Sequence, residues 1–192
     1  MKHILLPLLL SVTVGLTSGR NITSIGAARP AGRSAETCGN PANTFPFYRM
    51  LGGTAEYLYI ADTTIVNTEL RSAGWTLQTI AGLVFVTQEV STVPFYRLNL
   101  KAGGEIFYTA NTTELTNALN NGYSLAINDP EVYIYPTQIC GSVPFYYLKN
   151  AVKKGNFYTV SESERLAFIA NEGYTDVEIA GYVLPVGGSQ CD

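Results

Sequence analysis

Short runs of two-residue apolar periodicity, punctuated by glycines and interrupted by helical spacing, organise the chain. In Phe95-Tyr96-Arg97-Leu98, Tyr96 and Leu98 fall on one face, as do Tyr48 with Met50 and Tyr146 with Leu148. Strand residues two apart share a face, so these large side chains predict the inner side. The other side carries Phe47 with Arg49, Phe95 with Arg97, and Phe145 with Tyr147, and is expected to be accessible. Glycine turns follow at Gly52-Gly53, Gly103-Gly104 and Lys154-Gly155. They lead into second strands at Tyr57-Leu58-Tyr59-Ile60, Ile106-Phe107-Tyr108-Thr109 and Asn156-Phe157-Tyr158-Thr159, which predicts hairpins.

Helix-start patterns come next, at Asn111-Thr112-Thr113-Glu114 and Ser161-Glu162-Ser163-Glu164. Leu115, Ala118 and Leu119, and Leu166, Ile169 and Ala170, are spaced to form apolar helix stripes. Gly74, Gly122 and Gly173 are the expected stops. Asp62 opens the corresponding stretch of the first copy, where Ile65, Val66 and the threonines compete for strand. Two further extended segments close each copy. The first begins at Trp75, Tyr123 or Tyr174, and the second is Ile80-Ala81-Gly82-Leu83-Val84-Phe85 or Ile179-Ala180-Gly181-Tyr182-Val183-Leu184. The middle copy departs, with Asn128-Asp129-Pro130-Glu131 before Val132-Tyr133-Ile134-Tyr135.

The whole pattern occurs three times. Thr44-Phe45-Pro46-Phe47-Tyr48-Arg49 returns as Thr92-Val93-Pro94-Phe95-Tyr96-Arg97 and as Ser142-Val143-Pro144-Phe145-Tyr146-Tyr147, with prolines 48 and then 50 residues apart. A fixed period of this length marks one supersecondary unit used repeatedly. Four extended segments per copy make twelve strands. The expected fold is all-β with short helices in loops: a pseudo-threefold β-trefoil of three repeats of about 48 residues. A single domain over residues 44–192 would hold repeats at 44–91, 92–141 and 142–186. A three-bladed propeller is the alternative, with strands that would pack poorly.

The N-terminus reads differently. Residues 1–19 have the form of a secretory signal peptide: Lys2 and His3, an apolar run over 4–16, then small residues at Thr17-Ser18-Gly19. That run is short and broken by Pro7, so no membrane span is expected, and the mature protein should be secreted, extracellular and monomeric. Residues 20–43 are expected as a flexible tail, because 20–36 contain no aromatic residue to bury.

Loss of the signal removes His3, the only histidine. Histidine-dependent triads, histidine general bases and His-ligated metal sites are thereby excluded. No catalytic residue, metal or cofactor is expected. A carboxylate glycosidase remains formally open, and Asp129 with Glu131 is the acidic pair to inspect. The formal net charge is −3, and without Lys2 the remainder is more acidic. An acidic body without a basic cluster argues against nucleic acid. Of the three cysteines, Cys38 and Cys191 flank the repeats, so Cys38–Cys191 is the preferred disulfide, leaving Cys140 unpaired. Cys140–Cys191 is the alternative. Asn21 and Asn111 begin glycosylation sequons.

The repeat resembles a family of secreted β-trefoil-like repeat domains of unknown function. The residues that carry the likeness are Val93-Pro94-Phe95-Tyr96-Arg97-Leu98, Phe107-Tyr108-Thr109, Gly74-Trp75, Ile80-Ala81-Gly82 and Ile179-Ala180-Gly181-Tyr182-Val183. The likeness covers residues 44 to about 186. It implies a binding module more than an enzyme. The family's His before Phe-Tyr is absent, with Tyr57, Ile106 and Asn156 at that place, and the Gln-x-Trp signature of ricin-like lectins is missing.

The candidate ligand-binding residues are therefore Arg49, Arg97 and Tyr147, with Phe47, Phe95 and Phe145 as stacking platforms and Glu56 and Glu105 as nearby carboxylates. The competing structural reading has each Arg packed on the sheet and paired with a carboxylate. Trp75, Tyr123 and Tyr174, and Tyr59, Tyr108 and Tyr158, are expected to be structural. The expected partner is a glycan, in a lectin-like protein. The alternative is a secreted or cell-surface protein, bound by a protease inhibitor or effector through the loop at 151–156 and the insertion at 128–131.

Overall fold

The computed structural model describes residues 36–53, 55–72, 74–126 and 132–187. Ten strands and three short α-helices lie among them. β1 (Thr44–Gly52) and β2 (Glu56–Ile60) form the first hairpin, α1 (Thr63–Ser72) follows, and β3 (Thr76–Phe85) returns along β1. The order repeats as β4 (Val93–Leu100), β5 (Ile106–Thr109), α2 (Thr112–Asn120), β6 (Tyr123–Leu125) and β7 (Val132–Ile134). It repeats again as β8 (Val143–Asn150), β9 (Gly155–Thr159), α3 (Glu162–Asn171) and β10 (Thr175–Val183). One sheet runs β2-β1-β3-β7-β4-β5 with β6 beside β4, and the other runs β10-β8-β9. Single bridges at Leu83–Leu184 and Tyr135–Tyr182 join them. The molecule is mostly β with short helices. Among the described residues no helix is long and apolar enough to cross a membrane.

Ten strands replace the expected twelve because the two closing segments fuse. In β3 and β10 they form one continuous strand bearing two bulges, which absorb the residues that would otherwise break the ladder. The inner bulge in each falls at the Ile-Ala-Gly motif. Gly82 then pairs with Phe47, and Gly181 with Phe145. A Cβ on Gly82 would stand 2.6 Å from Val183, and one on Gly181 2.3 Å from Ile134, so glycine permits this close approach. In the middle copy the strand is interrupted, giving β6 and β7.

The Ser or Thr that opens each repeat has a local task. Thr44, Thr92 and Ser142 each donate a hydroxyl hydrogen bond to the carbonyl three residues earlier, at 2.8, 2.8 and 2.6 Å. These bonds fix the turn that feeds the chain into β1, β4 and β8.

Three tyrosines tie the second strands together in a closed cycle. The Tyr59 hydroxyl donates to the Tyr158 carbonyl, Tyr158 to Tyr108, and Tyr108 to Tyr59, at 2.7, 2.8 and 2.9 Å. Each hydroxyl also accepts an amide: Tyr158 N, Tyr108 N and Tyr59 N donate to Tyr59, Tyr158 and Tyr108 respectively. Their structural role agrees with the expectation, but the bonds cross between hairpins instead of staying within one. Burial pushes the Tyr59 and Tyr158 hydroxyls well above the ordinary tyrosine pKa.

The helices are capped as their sequences predict, by Asn111 and Ser161. Asp62 does the same for α1, its Oδ1 accepting from Thr64 N and Ile65 N, so the first copy also forms a helix. The expected stripe on α3 is not its buried face. Leu166 and Ile169 are exposed, and Phe168 docks instead, stacked on Phe157 with centroids 3.8 Å apart.

Residues 36–43, expected as the end of a flexible tail, are ordered. Gly39 N donates to the Tyr135 hydroxyl, and Asn43 donates to Glu89. The disulfide joins Cys38 to Cys140, which corrects the Cys38–Cys191 assignment. The turn before β8 carries Cys140 to the same edge as Cys38, with Cα atoms 5.6 Å apart. The signal peptide, Asn21, Asp129, Glu131 and Cys191 lie outside the described residues.

Candidate functional site

The three expected stacking platforms are core. Phe47, Phe95 and Phe145 are at most 2% exposed, and their ring centroids lie 6.5, 6.3 and 6.1 Å apart in a mutually packed triangle. They are not open stacking platforms on the molecular surface. The expectation that this strand face is open is thus overturned. The strands of three hairpins converge there, and the largest apolar surface is buried where they meet.

Arg49 is internal as well. Its guanidinium donates twice to Glu164, at 2.9 and 2.6 Å, and lies 4.7 Å over the Phe157 ring. Glu164 also accepts from the Thr159 hydroxyl at 2.6 Å. Burial disfavours the charge on Arg49, but the Glu164 hydrogen bond together with the charge interactions with Tyr59, Glu164 and Tyr57 outweighs it, and the pKa is raised. The carboxylate partner is thus Glu164 on α3, not Glu56 or Glu105. Sequence distance concealed it, since the two residues are 115 apart.

Tyr147 is also buried. Its hydroxyl donates to Asn156 Oδ1 at 2.7 Å, and its ring stacks on Tyr158 at 4.7 Å. Asn156 in turn donates to Glu105 and to the Ile106 carbonyl, and Lys149 pairs with Glu105 at 3.4 Å. Glu105 therefore serves a buried polar chain. Glu56 sits opposite Gly52 at the first hairpin, where burial raises its pKa. Tyr174 is buried. Trp75 is half-buried and packs on Gly52, where a Cβ would stand 2.8 Å from its ring. Asn111 is exposed and caps α2 through Oδ1.

Three of the eight candidates, Arg97, Phe47 and Phe95, line a cavity. The cavity measures about 250 Å³ and is walled by Phe47, Tyr59, Phe95 and Tyr108, with Tyr96 and Arg97 contributing from β4. Leu125, Ala126 and Val132 line it where β6 ends and β7 begins. Arg97 is the one charged side chain among the described lining residues. The structure thus disperses the eight candidates into a core triangle, an ion pair, a polar chain, a hairpin end and one cavity.

Sequence reasoning did not find Ile60, Ala61 and Ala126 as cavity residues. The available signal was the departure of the middle copy after residue 126, which breaks the strand that is continuous in β3 and β10. Glu36, Cys38 and Cys140 also cluster, but both sulfurs are consumed by the disulfide.

No curated protein and no solved structure matches the chain. The family model described as Domain of unknown function (DUF5648) matches residues 42–184, and the chain belongs to that family.

Proposed function

We propose that the protein is a secreted, non-enzymatic binding protein of pseudo-threefold β-trefoil form that holds a carbohydrate unit in the Arg97 cavity. The cavity is the observation that carries this reading: aromatic walls and one guanidinium in about 250 Å³. Binding sites of this kind combine apolar walls with a few placed polar groups. The trefoil reading draws support from the closed tyrosine cycle and the phenylalanine triangle, each taking one member from each sequence repeat. Export draws support from the apolar run over 4–16 and from the disulfide.

Glycan-array binding by the oxidised protein tests the reading. Specific retention that Ala126→Phe abolishes, with thermal stability unchanged, supports it. A blank array overturns it and moves the weight to a protein target. That second reading has its own observation. Val152 is 94% exposed at the β8–β9 turn, which Asn150 braces by accepting from Val152 N and Lys153 N. A fixed, projecting apolar side chain suits a protein partner, and a pull-down compared with Val152→Asp examines it.

A further inference from the structure

The cavity has an apolar floor and a more polar entrance. Phe47, Tyr59, Ile60, Phe95, Tyr108 and Val132 line it and are at most 5% exposed, so they form its deep end. The exposed Leu125 and the half-buried Tyr96, Arg97 and Ala126 stand at the entrance. The two hydroxyls of this floor are already engaged. Those of Tyr59 and Tyr108 each donate to a carbonyl and accept from an amide within the tyrosine cycle. Arg97 likewise interacts within the chain. The floor is apolar because of what stands in the first copy. Ile60 pairs with Tyr48 as Thr109 pairs with Tyr96 and Thr159 with Tyr146. Thr109 donates to Glu114 and Thr159 to Glu164, each at 2.6 Å. In the first copy Ile60 replaces the hydroxyl, and Ile65, three residues after the Asp62 cap, replaces the carboxylate.

A bare sugar ring at this floor would bury hydroxyls without partners, which is costly. A hydrocarbon group loses nothing there and gains by leaving water. Resting on the carbohydrate reading above, we propose that the cavity takes an N-acylated amino sugar, with its acyl group on the floor beside Ile60. The sugar ring then lies at the entrance against Tyr96 and Leu125, and its hydroxyls face water. The amide of the ligand stays at the level of the entrance, where solvent reaches it. Such a ligand is apolar at one end and polar at the other, in the same order as the cavity.

The test compares N-acetylglucosamine with glucose, and N-acetylgalactosamine with galactose, by saturation-transfer NMR and calorimetry on the whole oxidised protein. The acetylated sugar is expected to bind about tenfold more tightly than its parent sugar, with saturation transfer strongest at the acetyl methyl. Lengthening the acyl chain to propionyl should tighten binding by about fourfold, the effect of one more buried methylene. Because the ligand is uncharged, the preference should hardly change with salt. Ile60→Thr puts back the hydroxyl that the other two copies carry and should bring acetylated and parent sugars within about twofold of one another. Ile60→Val keeps the floor apolar and should retain most of the preference. Thermal unfolding of both variants guards against a folding defect. Equal binding of acetylated and parent sugars by the unaltered protein overturns this inference and leaves the carbohydrate reading standing. An undiminished preference in Ile60→Thr puts the acyl group away from this floor and overturns the inference as well. Binding of neither acetylated nor parent sugars overturns both.

Discussion

Arg49 and Arg97 occupy the same place in two copies of one sequence motif, yet one is sealed and the other faces a cavity. Arg49 is held by the Glu164 carboxylate on α3, whereas Arg97 lines the cavity together with Ile60. Glu164 is the residue to perturb. Burial works to raise its pKa, but hydrogen bonds from Arg49 and Thr159 outweigh this and hold it below the ordinary value of 4.5. A carboxyl with a depressed folded-state pKa contributes stability above its unfolded value and loses that contribution as pH falls through the folded value. Acid unfolding of the parent protein below about pH 4.5 should therefore be steeper than that of Glu164→Gln, whose amide does not titrate. At neutral pH, Glu164→Ala strands the buried guanidinium. A cost of about 2–3 kcal/mol is expected in urea unfolding, less than for a fully buried pair because Glu164 is partly solvated. A loss near zero would mean that Arg49 finds another partner.

Single elements show where local pattern suffices and where it does not. Hairpins and helix starts were legible because each depends on residues close in sequence: a glycine or a cap. The inward face was misread at Phe47 and Phe145, because β1 and β8 are covered on both sides and alternation then carries no directional information, and at Phe95, which is buried in β4 as Leu98 is. The tyrosine cycle lies between these levels. A tyrosine in the second strand of every hairpin was visible, but its partners belong to other hairpins. In Tyr158→Phe one buried amide and one buried carbonyl of Tyr108 lose their partner. At roughly 1–3 kcal/mol for an unsatisfied buried group, a loss of about 2–3 kcal/mol is expected from equilibrium unfolding. Combining it with Tyr59→Phe should give a non-additive result, since both belong to one network. Additive losses would show three independent bonds.

For the molecule as a whole, the disulfide is a covalent constraint tying residue 38 to residue 140 across 102 positions. In the chain-entropy picture a loop of this length contributes roughly 4–5 kcal/mol by restricting the unfolded chain. Cys140→Ser should lower stability strongly. Cys191→Ser should leave the bridge and the stability intact, and a peptide map of the oxidised protein should recover Cys38 linked to Cys140. A map with Cys191 linked to either would contradict the structure. The N-terminal segment over 36–43 is ordered through this same bridge and through Tyr135 and Glu89, contacts that its own polar composition gives no hint of.

By itself, the sequence determined the hairpins, the helix caps and the glycine turns. These depend on composition and on spacings of a few residues, which the chain carries wherever it is placed. Tertiary structure alone decided which cysteine meets Cys38, which face of each first strand is buried, and which carboxylate neutralises Arg49. It also decided that one of three corresponding positions opens into a cavity. Each of these is a contact between residues about fifty or more positions apart. Such contacts are selected by how the three units close on one another, which no local spacing encodes.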